Sequence, residues 1–142
     1  MIRSATLVAV QLAAIVYLAL TGHLLAAPRW IWLQIAGIAL TLWAVAVVDP
    51  RRVKITPEPA RGMRLVTRGP YRFIRHPMYT AVLLFTLGWL TTRPTFSRLL
   101  VWLILLADLI LKAEYEESLL VRRFPEYRAY RQRTKRFVPF VY

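Results

Sequence analysis

Cysteine is absent from this 142-residue chain, which excludes disulfides, a thiolate metal site and a cysteine nucleophile. Histidine is nearly absent. His23 and His76 stand far apart in sequence and make no metal-ligating set, so no metal is expected. Acidic residues are few, 7 against 20 Lys and Arg, which leaves a formal net charge of +13. Internal repeats and low-complexity tracts are also lacking. The N-terminal apolar run has neither a strongly basic start nor a clean cleavage site, so it reads as an internal span rather than a signal peptide. The chain is therefore expected to form one unit, residues 1–142.

What is abundant is apolar surface. Hydrophobic residues make up 58% of the chain and the mean hydropathy is +0.45, above an ordinary soluble domain. Four apolar stretches stand out, at Ala5–Ala27, Trp30–Val48, Met78–Thr92 and Phe96–Ala113. The first two have the ~20 residues that a hydrocarbon core of ~30 Å requires. The third and fourth are shorter and read as a tilted or partly submerged hairpin around Arg93-Pro94. The fold expected is an all-α integral membrane protein of four transmembrane helices. Residues 1–48 would supply two spans and residues 49–142 the cofactor-binding, catalytic region.

Charge sets the orientation. Eight of the 20 basic residues lie between Arg51 and Arg75, and eight more run from Lys112 to the C-terminus. The positive-inside rule places both segments, and with four spans both termini, in the cytoplasm. The 49–77 loop and the C-terminal helix would together form a cytoplasmic cap. Basic patches also bind nucleic acid, but here the charges are split between two segments rich in aromatics and prolines. Attraction to anionic membrane lipid explains them more simply, and no nucleic-acid partner is expected.

Two polar clusters mark the membrane exits. The first is Gly69-Pro-Tyr-Arg-Phe-Ile-Arg-His-Pro-Met-Tyr-Thr-Ala81. A Pro-rich linker over 49–62 leads into it through Met63–Thr67, whose residues predict an extended strand on the membrane face. Pro77 suits the first turn of a helix and pushes His76 toward extended backbone. The unpaired N–H groups of such a helix start attract anions. Alternatively, Arg72, Arg75 and His76 snorkel at the interface beside a belt of Tyr71, Phe73 and Tyr79.

The second cluster is Lys112-Ala-Glu-Tyr-Glu-Glu-Ser-Leu-Leu120. Asp108, Lys112 and Glu116 recur every four residues and share one helix face, with Glu117 offset by about 100°. The ladder is either a self-neutralising stripe or a ligand wall, and spacing alone is compatible with both. Asp108 either pins the Lys112 ammonium or meets a cationic head group. Phe124-Pro125 predicts a helix break, followed by a short surface helix on which Tyr127 and Tyr130 share a face. Phe137, Val138 and Phe140 are expected to dip back into lipid.

Taken together, the G-P-Y-x-x-x-R-H-P-x-Y run from Gly69, the K-x-x-x-E-E-x-x-L run from Lys112 and the F-P-E-Y-x-x-Y…P ending from Phe124 resemble the isoprenylcysteine carboxyl methyltransferase family. That family is related to the phospholipid N-methyltransferases, and the resemblance covers about residues 50–142. It implies S-adenosylmethionine as cofactor, held by Met63, Arg64, Leu65 and Val66 through backbone groups and by Tyr71, His76, Pro77, Met78, Tyr79 and Glu116. Two positions depart from the family's pattern. Lys112 stands where carboxyl-methylating members often carry a substrate-holding arginine, and Ala81 where relatives usually have glycine.

The residue types suit methyl transfer. A methyl sulfonium is already activated, so alignment and exclusion of water are the main tasks. A carboxylate acceptor needs only a cation, for which Lys112, Arg75 or Arg72 could serve. An amine acceptor must lose a proton, for which Glu117 or Glu116 could serve. Lys112, Glu117 and Arg75 are thus the candidate catalytic residues, and the acceptor expected is an amphiphile entering laterally from the bilayer. Two other readings stand beside this one: a small NADPH-dependent membrane reductase related to the sterol reductases, and a non-catalytic helical bundle.

Overall fold

The computed structural model describes residues 2–48 and 65–138, with side chains from Ser4 onward. The fold is all-helical among these residues. Its helices are α1 (Ile2–Leu20), α2 (Ile31–Val47), α3 (Pro77–Thr92), α4 (Phe96–Arg123) and α5 (Tyr127–Arg133). Turns of 3₁₀ helix at Pro28–Trp30 and Gly69–Arg72 lead toward α2 and α3. Residues 65–67, part of the expected strand, have no regular secondary structure, and Met63 and Arg64 lie outside the described residues.

The start of α3 and both ends of α4 have local causes. Pro77 opens α3, where its missing N–H is no loss, and His76 before it is neither helical nor the extended residue expected, at φ −123° and ψ 61°. Thr95 caps α4 by accepting from the Arg98 backbone N–H. This helix ends at Arg123, ahead of Phe124-Pro125, as the sequence predicts. Gly69 takes φ +61°, a left-handed conformation that favours glycine, and a Cβ there would lie 2.8 Å from Val47.

The helices associate as two pairs. α2 packs chiefly on α3, and α1 chiefly on α4, while α3 also touches α1 and α4 and so joins the pairs. The α2–α3 contact is close: a Cβ on Gly37 would lie 2.8 Å from the Ala81 carbonyl oxygen. Between the pairs, Ala14, Leu18, Leu83, Trp89, Leu105 and Leu109 form the buried core.

Of the four expected spans, one stretch among the described residues is long and apolar enough to cross a membrane by length and composition. It is Pro28–Val47, with mean hydropathy 1.8. The described part of α1, Ser4–Leu20, is apolar but shorter. α4 is long enough at 28 residues, but it carries Arg98, Asp108 and Lys112 on its buried side.

Arg98 is the staple at the end where α1 and α3 finish and α4 begins. Its guanidinium, 1% exposed, donates to the Leu18 carbonyl at 3.0 Å, the Trp89 carbonyl at 2.5 Å and the Thr21 hydroxyl at 2.5 Å. A cation there satisfies the last carbonyls of two helices at once. Arg98→Met should lower stability by about 1.5–3 kcal/mol, read as a reduced thermal midpoint in detergent. An unchanged midpoint would remove the staple from the account of the fold.

Candidate active site

At the opposite end, the start of α3 meets the last turns of α4, and residues 134–137 close over both. The backbone makes the junction. Ile74 and Lys135 form an isolated parallel bridge. Arg75 N–H donates to the Lys135 carbonyl at 2.8 Å, and His76 N–H donates to the Arg136 carbonyl at 3.1 Å. The Tyr130 hydroxyl donates to the Tyr71 carbonyl at 2.6 Å. The described parts of the 49–77 and C-terminal segments therefore do pack together as a cap.

Glu117 lies at the centre of this junction, 2% exposed. Its Oε1 accepts from Arg75 Nε at 2.8 Å and stands 3.1 Å from His76 Nε2 and 3.5 Å from Arg136 Nε. Oε2 faces Arg131 Nε at 3.4 Å. Burial alone would raise the carboxyl's pKa, but the hydrogen bonds from His76 and Arg75 and their charges outweigh it and hold it at about 2. Arg75 spends its other donors on the Arg131 carbonyl and, through a short hydrogen bond, on the Thr134 carbonyl.

Glu116, next in sequence, faces elsewhere. Its side chain is 24% exposed, its Oε2 accepts from the Tyr79 hydroxyl at 3.0 Å, and the same oxygen lies 3.6 Å from His76 Nδ1. The His76 and Tyr79 rings stack at 5.2 Å and 4°. Phe137, 4% exposed, covers both rings at 6.0 and 6.4 Å. That corrects the expectation that Phe137 dips into lipid: docking of residues 134–137 on α3 turns it inward. Val138 is half-exposed, and Phe140 lies outside the described residues.

Lys112 is 1% exposed and reaches across to α1, the partner of its own helix. Its ammonium donates to Gln11 Oε1 on α1 at 2.6 Å and lies 5.4 Å from the centre of the Tyr79 ring. Tyr71 stands at the cap. Burial, then the nearby Glu116 carboxylate, pushes its pKa up to about 12, so the phenol stays neutral. Pro77 is buried at the helix start and Met78 half-buried beside it, while Leu65 and Val66 are half-buried in irregular chain.

The structure thus gathers Tyr71, Arg75, His76, Tyr79, Lys112, Glu116 and Glu117 into one region. Sequence reasoning missed Gln11 and Arg136. A lone glutamine in the apolar α1 was an available signal, whereas nothing local distinguished Arg136 from its basic neighbours.

Residues 31–127, which contain both polar clusters, match the phospholipid methyltransferase family (PEMT). The chain belongs to that family. It is also 29% identical over 123 residues to the nickel-cobalt-cadmium resistance protein NccN of Alcaligenes xylosoxydans xylosoxydans. That alignment covers 84% of this chain and 57% of the relative, so the chain spans little more than half of that protein's length.

The depressed carboxyl of Glu117 has a pH consequence. Its stabilisation should be complete above the unfolded value of about 4.5 and lost as pH falls from there toward about 2. Over that window the loss should be on the order of 3 kcal/mol. Acid unfolding of the wild type should steepen below pH 4.5, and Glu117→Gln should be less stable at pH 7 with that slope flattened. Parallel acid profiles for the two proteins would contradict the geometry.

Proposed function

We propose that this chain is an integral membrane methyltransferase that uses S-adenosylmethionine to methylate an amphiphilic, lipid-type acceptor at the cytoplasmic face. The observation that carries the reading is the meeting of the α3 start with the Lys112–Glu117 turns of α4, both inside the family-matched span. Four helices would cross the bilayer with both termini in the cytoplasm. Outward-turned Leu12, Ile35, Leu42, Leu103 and Leu111 suit such a setting.

The residues fit the cofactor that the family implies. Glu116, part-exposed beside Tyr79 and His76, can accept from an ammonium or from ribose hydroxyls. Arg131, half-exposed at the rim, can meet a carboxylate, and the part-buried Tyr71 and Tyr79 rings offer apolar faces. Leu65 and Val66, with Met63 and Arg64 before them, would contribute backbone groups, and Pro77 and Met78 the wall. When bound, S-adenosylmethionine supplies a methyl group on a cationic sulfur, already activated for displacement.

The chain's own residues then divide the work. Arg75 and Glu117 are bound to each other and to the cap, so their role is positioning. A carboxyl held at about 2 is too weak a base to take a proton near neutrality. Phe137 and the 134–137 strip exclude water from the His76–Tyr79 stack. Lys112, reaching toward Tyr79 from the bilayer side, is the group placed to align the acceptor. Glu116 is the remaining carboxylate able to accept a proton from an amine acceptor.

Binding and turnover separate these roles. S-adenosylhomocysteine should raise the thermal midpoint of the wild type in detergent, and Glu116→Ala should lose that shift while remaining monodisperse. Lys112→Ala should depress methyl transfer into a lipid extract by roughly 10²-fold with little change in S-adenosylhomocysteine affinity, a loss of positioning. Stabilisation by NADPH instead would favour the reductase reading, and stabilisation by neither would favour a non-catalytic bundle.

A further inference from the structure

Among the described side chains of α1, Gln11 is the one long polar group on the core face. It stands three residues before Ala14 and seven before Leu18, both of which belong to the buried core. An apolar residue would suit that position. The glutamine is 9% exposed, and an amide buried in such a seam is costly unless it is hydrogen-bonded. Its Oε1 accepts from the Lys112 ammonium at 2.6 Å. α1 packs chiefly on α4, and Ala14, Leu18, Leu105 and Leu109 already give that contact an apolar seam. What the glutamine adds is a fixed point for the ammonium.

A fixed point matters because the ammonium has a competing acceptor close by. Asp108 lies one turn before Lys112 on α4. It is 5% exposed, and its Oδ2 is buried without a hydrogen-bond partner, which makes it a strong attractor for a cation. A lysine drawn onto that carboxylate would fold back along its own helix. Gln11 instead draws the side chain across to α1, where the ammonium stands 5.4 Å from the centre of the Tyr79 ring. Tyr79 in turn donates to Glu116 at 3.0 Å. Contacts therefore run from α1 through Lys112 and Tyr79 to the part-exposed carboxylate of the site. Gln11 also lies outside the family-matched residues 31–127, so the matched segment supplies the lysine but not its holder.

We propose that Gln11 is a positioning residue for methyl transfer, one that holds the Lys112 ammonium beside Tyr79 and off Asp108. The proposal rests on the reading of Lys112 as the group that aligns the methyl acceptor. It makes α1, a helix outside the family-matched span, a working part of the site.

Two variants of the full chain test this: Gln11→Met, which keeps the side chain's length but removes the acceptor, and Gln11→Glu, which keeps an acceptor. The lysines are three, Lys54, Lys112 and Lys135, so protein carrying nitrogen-15 at lysine Nζ gives a short NMR spectrum in detergent. Lys112→Arg assigns the Lys112 signal by its loss. Gln11→Met should move that signal while Lys135, at the bridge to Ile74, stays in place and reports an intact cap. An unmoved Lys112 signal would overturn the proposal. In methyl transfer to a lipid extract, Gln11→Met should lower kcat about tenfold with S-adenosylhomocysteine affinity kept, and Gln11→Glu should recover most of the loss. Adding Gln11→Met to Lys112→Ala should cost nothing further. The same loss in both backgrounds would mean that Gln11 acts only on the fold, and would overturn the proposal as well. The spectrum reads Lys112 whether or not the wild type transfers methyl groups, so the holding of Lys112 and the methyltransferase reading fail separately.

Discussion

The Glu117 carboxylate is the constraint on which the rest of this architecture depends. A chain with a formal charge of +13 must bring Arg75, Arg131 and Arg136 together to close its cap, and like charges in a buried place repel. One carboxylate on α4 converts that repulsion into a junction, because each cation approaches Glu117 rather than the others. Such a cluster adds less net stability than its Coulomb energy implies, since Glu117, Arg75 and Arg136 lose hydration. Its effect is to specify one arrangement. Removing the carboxylate would leave buried cations facing one another, which is far worse than replacing the whole cluster.

That junction also prepares the neighbouring residue. Glu116 and Glu117 are adjacent on α4 and therefore diverge by about 100°. Glu117 faces the arginines, and Glu116 faces Tyr79 and the stacked His76 ring. His76 lies between the two carboxylates, with Nε2 toward Glu117 and Nδ1 toward Glu116. The cationic cluster thus fixes the His76–Tyr79 wall that Glu116 faces.

The two ends of the molecule solve opposite problems. At one end Arg98 satisfies the carbonyls that finish α1 and α3, which lets those helices stop inside apolar surroundings. At the other end the polar groups of α3, α4 and the cap satisfy one another around Glu117. Between them, close packing at Gly37 and looser packing of α1 leave an apolar groove lined by Ile15, Val82, Phe85 and Trp89 among others.

Much of this was legible in the chain alone. Apolar runs gave the helices, because backbone groups in such runs must bond within their own segment. Pro77 gave the start of α3 and Phe124-Pro125 the end of α4, since proline's ring acts on its immediate neighbours. The two clusters and the F-P-E-Y-x-x-Y…P ending carried the family resemblance, which the match over 31–127 supports. Spacing also predicted that Glu116 and Glu117 point apart. Which of them would meet the cations was decided only by tertiary structure, because Arg75 and His76 lie 42 and 41 residues away from Glu117. The pairing of Lys112 with Gln11 spans 101 residues, and the inward turn of Phe137 follows from a bridge between distant segments. Local sterics and periodicity act over one or two helical turns. Ion pairs and grooves form between segments that only the packing of the helices brings together.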